Sequence, residues 1–177
     1  MTAKLNLFLA LLSSALWSSC MLAQFDRVPG EHLSQIPEQM RGTYKQVGST
    51  EYKADLEDST RVILGDSWWE LLRTDTTERY YMGDSIVLST LQQLYFISVR
   101  SPERKFWYVL VAELSADGKV QVRPIVPQVG CYKLRKKLKR VHDTGNEVVY
   151  SMNETELLRY YRKAIRKKPA FELVKEK

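Results

Sequence analysis

The chain has 177 residues, 44% of them hydrophobic and 27% charged, with a formal net charge of +6. That balance excludes a disordered or collagen-like chain and is enough for one real core, so one domain is expected. With two cysteines and two distant histidines, a disulfide framework, a multi-cysteine zinc module and a His-rich metal site are excluded; neither common glycine-rich phosphate loop is present, so no metal or cofactor is expected.

Residues 1–23 read as a secretory signal peptide. Lys4 is the positive n-region, and residues 5–17 (LNLFLALLSSALW) are the apolar h-region. That run is too short, and too interrupted by serine, to span a bilayer. Two exits are open. Cleavage after Ala23 has a small residue at the cut and is preferred. Lipidation at Cys20 is the alternative, because Trp17-Ser18-Ser19-Cys20 resembles a bacterial lipobox, with Trp17 where a Leu-like residue is expected. The expected mature domain, 24–177, is therefore periplasmic or secreted, or lipid-anchored through Cys20. No second apolar run approaches membrane length, so no transmembrane segment is expected in it.

The predicted elements begin with an irregular lead-in over 24–39, holding Pro29, Gly30 and Pro37, which could close one end of a domain. Short β-rich runs follow at 41–47, 61–64, 67–73, 79–82, 85–90, 93–99, 105–114 and 120–126. Gly65-Asp66, Gly83-Asp84 and Asp117-Gly118 stand between them as turns. Runs spaced at about 8–12 residues predict an antiparallel meander closing into a small barrel or roll, which removes exposed edges. Residues 133–141 suit a short helix or a strand, and 147–151 a strand. Residues 153–168 form the best helix: Leu157, Leu158, Tyr161, Ala164 and Ile165 make one apolar stripe, Asn153 can cap it with Glu156 as capping-box partner, and Pro169 stops it. The fold class is thus mainly β, a β-rich α+β domain with a C-terminal amphipathic helix.

Charge is unevenly placed. Residues 24–130 hold 12 basic and 15 acidic side chains, whereas 131–177 hold 14 basic and 6 acidic, a local net charge of +8. A basic stripe favours anionic membrane or glycan, and Lys136, Lys137, Arg140, Arg162, Lys163 and Arg166 are the candidate contacts. The plainer reading is a solvated helix face. Export argues against nucleic acid, and the aromatic residues lie mostly outside this stripe, so no stacking platform is evident.

Little else carries chemistry. His142-Asp143 with Cys131 is the one arrangement that could make a thiol hydrolase, but adjacent side chains diverge and nothing in the spacing requires it. Glu31-His32 carries no more weight. Asp55, Glu57 and Asp58 lack the alternation and glycine of a calcium loop. Asn153-Glu154-Thr155 matches a glycosylation sequon but reads better as a cap. Asp58-Ser59-Thr60, Asp75-Thr76-Thr77 and Asp84-Ser85-Ile86 resemble bacterial O-glycosylation sites and equally suit turns. The adjacent aromatics offer candidate lining for a small amphipathic ligand: Trp68 or Trp69, Tyr95 or Phe96, and Trp107. On a strand one member of each pair faces inward and the other outward.

At Gly42-Thr43-Tyr44 the chain resembles lipocalin-like barrels, which open their first strand with Gly-x-Trp after an irregular lead, run through a meander and then place a helix. Tyr44 stands where that family has Trp, and the family's other motifs and paired cysteines have no counterpart here. The chain is also similar to small exported bacterial proteins of strand-rich build. The lipocalin resemblance implies an apolar ligand. The expectation is an exported, non-enzymatic binding protein of the cell envelope, holding such a ligand, or docking its basic end on an anionic surface.

Overall fold

The computed structural model describes residues 23–47, 61–73, 75–101, 106–125, 128–129, 132–133, 138–143, 148–166 and 171–176. The strands in chain order are β1 (Gln24–Phe25), β2 (Glu31–Leu33), β3 (Gly42–Val47), β4 (Arg61–Leu64), β5 (Trp68–Leu72), β6 (Thr77–Tyr81), β7 (Ile86–Leu91) and β8 (Leu94–Arg100). They continue with β9 (Trp107–Leu114), β10 (Val120–Pro124), β11 (Gln128–Val129), β12 (Tyr132–Lys133), β13 (Arg140–Asp143), β14 (Val148–Tyr150) and β15 (Phe171–Lys175). Helix α1 (Glu154–Tyr160) runs directly into a π-helical turn, Tyr161–Ile165.

Two antiparallel meanders, β3-β4-β5-β6 and β7-β8-β9-β10, make up most of the sheet. The last strand joins them: β15 lies between β10 and β3, antiparallel to both, with Leu173 opposite Val120 on one side and Gln46 on the other. β2 adds to β7, while β1, β14 and β13 continue the sheet beside the start of β9. β11 and β12 pair separately. The predicted meander is present, with one break. β6 and β7 are joined by the turn at Gly83-Asp84 but do not pair among the described residues, so the sheet curls into a half-barrel that is open there.

The sheet buries both faces of its central strands, which explains why β9 reads as the longest apolar run. Val109 and Val111 face α1, while Leu110 and Ala112 face the concave side. The concave core also holds Tyr44, Val62, Trp69, Leu71, Leu88, Val122 and Leu173. Ile36 and Met40 enter it from the segment between β2 and β3, whose Ile36 N–H donates to the Asp66 carbonyl at 2.5 Å. The helix-side core packs Leu157, Leu158, Tyr160, Tyr161, Ala164 and Ile165 on Phe25, Phe96, Val109, Val111 and Ile125.

The lead-in is more ordered than the sequence implies. It contributes β1, β2 and a 3-10 turn at Glu38–Met40, with irregular backbone left at 26–30 and 34–37. Of the two readings for 133–141, strand is found at both described ends, Lys133 and Arg140. The helix begins where predicted, with the Asn153 side chain accepting from the Glu156 N–H at 3.1 Å. It is α-helical only to Tyr160; the Arg166 N–H then bonds the Tyr161 carbonyl, five residues back, at 2.8 Å. β15 is a strand the sequence reading does not contain. Residues 1–22 with Cys20, and also Cys131, Lys136 and Lys137, lie outside the described residues.

Candidate functional site

The helical rod presents two chemically opposite sides. Its apolar side is buried, while Arg159, Arg162, Lys163 and Arg166 are all exposed. Those four stand at i, i+3, i+4 and i+7; the wider π-helical turn over Tyr161–Ile165 fans them into one broad exposed row rather than the narrow stripe of a regular α-helix. Three of them are aimed by local partners. Arg159 bonds Glu156 at 2.8 Å, Arg162 donates to the Gln92 side chain at 2.8 Å, and Arg166 lies 3.6 Å from Glu113. The row sits at the C-terminal end of the rod, where the helix dipole favours positive charge. Arg140 is exposed on β13 opposite Tyr150, and opposed residues share a face, so Arg140 lies on the helix side of the sheet.

Beneath the end of this row is a polar cluster drawn from four elements. Glu113 on β9, Gln121 and Arg123 on β10, and Glu172 on β15 share the helix-side face, because Gln121 pairs with Glu113 and with Glu172 across the ladder. The Tyr161 hydroxyl donates to Glu113 Oε2 at 2.6 Å, and Arg123 Nη1 lies 3.4 Å from the same oxygen. Arg123 also donates to Gln121, which donates in turn to Glu172 at 2.5 Å. Only 6% of Arg123 is exposed, so its charge depends on these partners. Burial first, and then the bond to Glu113, push the Tyr161 hydroxyl well above its ordinary 10.0. The phenol therefore stays protonated and serves as a fixed donor. The cluster clamps the rod to the sheet and holds Arg166 at its rim.

Of the sequence candidates for an anionic surface, the structure brings Arg162, Lys163 and Arg166 together, adds Arg159, and places Arg140 on the same side of the sheet. The aromatic candidates are split. Trp69 and Tyr95 belong to the concave side, Phe96 and Trp107 to the helix-side core. Trp68 lies on the outer face of β5, under the Arg79 guanidinium 4.3 Å from its ring centroid, with Arg79 held by Glu70. The five do not line one cavity. On the concave side Trp69 instead packs against Tyr80, ring centroids 6.1 Å apart.

The remaining candidates stay separate. His142 is exposed on β13 with its ring 5.9 Å from that of Phe106, and Glu31 and His32 are exposed on β2. Asp55, Glu57 and Asp58 lie outside the described residues. Among the described residues no three His, Cys, Asp or Glu side chains gather to hold a metal, and no helix is long and apolar enough to cross a membrane. The Glu113–Arg123–Tyr161 cluster gives no signal in the sequence: Glu113 and Arg123 sit on the two arms of the predicted Asp117-Gly118 hairpin, but Tyr161 is 48 positions from Glu113 and meets them only through the packing of the rod. No family model, curated protein or solved structure matches the chain.

Proposed function

We propose that this is an exported, non-enzymatic binding protein of the cell envelope that docks on anionic membrane through the exposed face of its C-terminal helix. One observation carries the reading: Arg159, Arg162, Lys163 and Arg166 are all exposed on a rod whose apolar side is sealed against the sheet. A cluster of exposed basic side chains on one side of the rod suits a plane of mobile phosphate groups, where guanidinium forks bind phosphate oxygens in pairs. The clamp at Glu113 and Tyr161 keeps the rod from peeling away when the row is engaged.

The test is binding to vesicles of phosphatidylglycerol mixed with phosphatidylcholine. Each basic side chain near such a surface contributes about 1 kcal/mol, so replacing Arg162 and Lys163 together by Ala weakens binding by roughly thirtyfold. Binding also falls steeply as salt rises, because exposed charges are screened within about 8–10 Å at physiological ionic strength. Vesicle binding that is indifferent to both the double variant and salt overturns the reading. Preference for a sulfated polysaccharide over vesicles replaces membrane by acidic glycan as the partner.

A further inference from the structure

The first described residues are part of the core, and this bears on where an exported chain can be cut. Ala23 is 1% exposed, packs in the helix-side core, and donates its N–H to the Ile125 carbonyl at 2.9 Å. Gln24 is wedged between two strands, opposite Tyr108 of β9 and Val149 of β14. It is 7% exposed, and its side-chain amide donates to the Tyr108 hydroxyl at 3.0 Å. Phe25 next to it is fully buried against Tyr150.

Hydrolysis of the bond between Ala23 and Gln24 removes a core residue and its hydrogen bond to Ile125. It also turns the Gln24 amide nitrogen into an α-ammonium, a group with an ordinary pKa of about 7.7–8.0 that is costly to place away from water. A cut before Cys20 leaves Cys20, Met21, Leu22 and Ala23 attached and avoids both losses.

We propose that the peptide bond hydrolysed during export lies before Ala23, so that Ala23 is retained in the mature fold. This rests on the export reading above. It reverses the preference that the small residue at position 23 gives to the later cut, and it leaves Cys20 as the start that the sequence supplies.

Two measurements decide it. The full chain is expressed in an export-competent bacterial host, and the N-terminus of the exported protein is read by intact mass and terminal sequencing. The expected start is Ala23 or a residue before it; a folded exported protein beginning at Gln24 overturns the proposal. A chain that keeps Met1 and stays inside the cell overturns the export reading, and the second measurement then decides on Ala23. There the chain beginning at Met21 is compared with one released from a fusion to begin at Gln24. The shorter chain is expected to melt lower by about 5 °C or more, and equal melting temperatures overturn the retention of Ala23.

Discussion

Gly30 shows how much a single residue can fix. Its backbone has φ +69°, and a Cβ there would stand 2.3 Å from the Thr90 carbonyl oxygen. Its N–H donates to Glu154 Oε1 at 2.8 Å, so it touches the sheet and the first turn of α1 together. Replacing Gly30 by Ala is expected to cost about 2 kcal/mol or more, because left-handed backbone strain adds to a clash with an immobile carbonyl. A urea midpoint that moves down with an unchanged slope is the expected result; an unmoved midpoint would show that the segment relaxes freely. Pro29 and Gly30 are legible in the sequence as part of an irregular lead-in, and the partners of Gly30 are not. Glu154 lies 124 positions away, and local chemistry says nothing about such a contact. The same holds for Trp68: Gly65 before it reads as a hairpin residue, but only the structure shows the indole lying where a Cβ at 65 would be, 2.3 Å from it.

At the scale of elements, legibility follows length and locality. β9 is readable because eight residues carry their own signal, and burial on both faces makes that signal continuous. β1 and β2, two and three residues long, are not, because each owes its existence to a distant neighbour rather than to its own pattern. The helix start is readable from Asn153. The π-helical turn is not, since the apolar stripe Leu157, Leu158, Tyr161, Ala164, Ile165 fits a regular helix equally well. What differs is the tether of Tyr161 to Glu113, which belongs to the sheet. The cap itself is testable: Asn153→Ala removes the acceptor of the Glu156 N–H and is expected to cost about 1 kcal/mol. If the side chain serves as a glycan attachment point rather than a cap, the unmodified Ala variant will unfold at the same urea concentration as the parent. A basic row that loosens with the cap gone would also weaken vesicle binding, whereas the cap alone changes no charge.

For the whole molecule, the decisive strand is the last. β15 joins the two meanders, and Leu173 on it is 6% exposed in the concave core. Phe-Glu-Leu-Val-Lys does alternate, with Phe171 and Leu173 turned to the concave core. Coming after Pro169 with no turn partner nearby, it gives no sign of the two strands it fits between. Leu173→Ala is expected to cost about 3 kcal/mol, against less than about 1 kcal/mol for Val174→Ala on the other face. Equal effects at the two positions would mean that β15 is an appendage. High pH tests the folded state as a whole. Burial raises the hydroxyl pKa of Tyr44, and burial with a bond to a carboxylate raises those of Tyr80 and Tyr161, on Glu78 and Glu113 respectively. In the unfolded chain these phenols ionise near 10.0, while in the fold they hold their protons to higher pH. The folded state then binds more protons, so their contribution is complete below pH 10 and is lost as the pH climbs toward the folded values. Phenolate absorbance should therefore lag for at least three of the ten tyrosines and appear together with the loss of near-ultraviolet dichroism. If all ten titrate as one set while that dichroism persists, the two cores admit hydroxide freely, and the half-barrel is far looser than its packing implies.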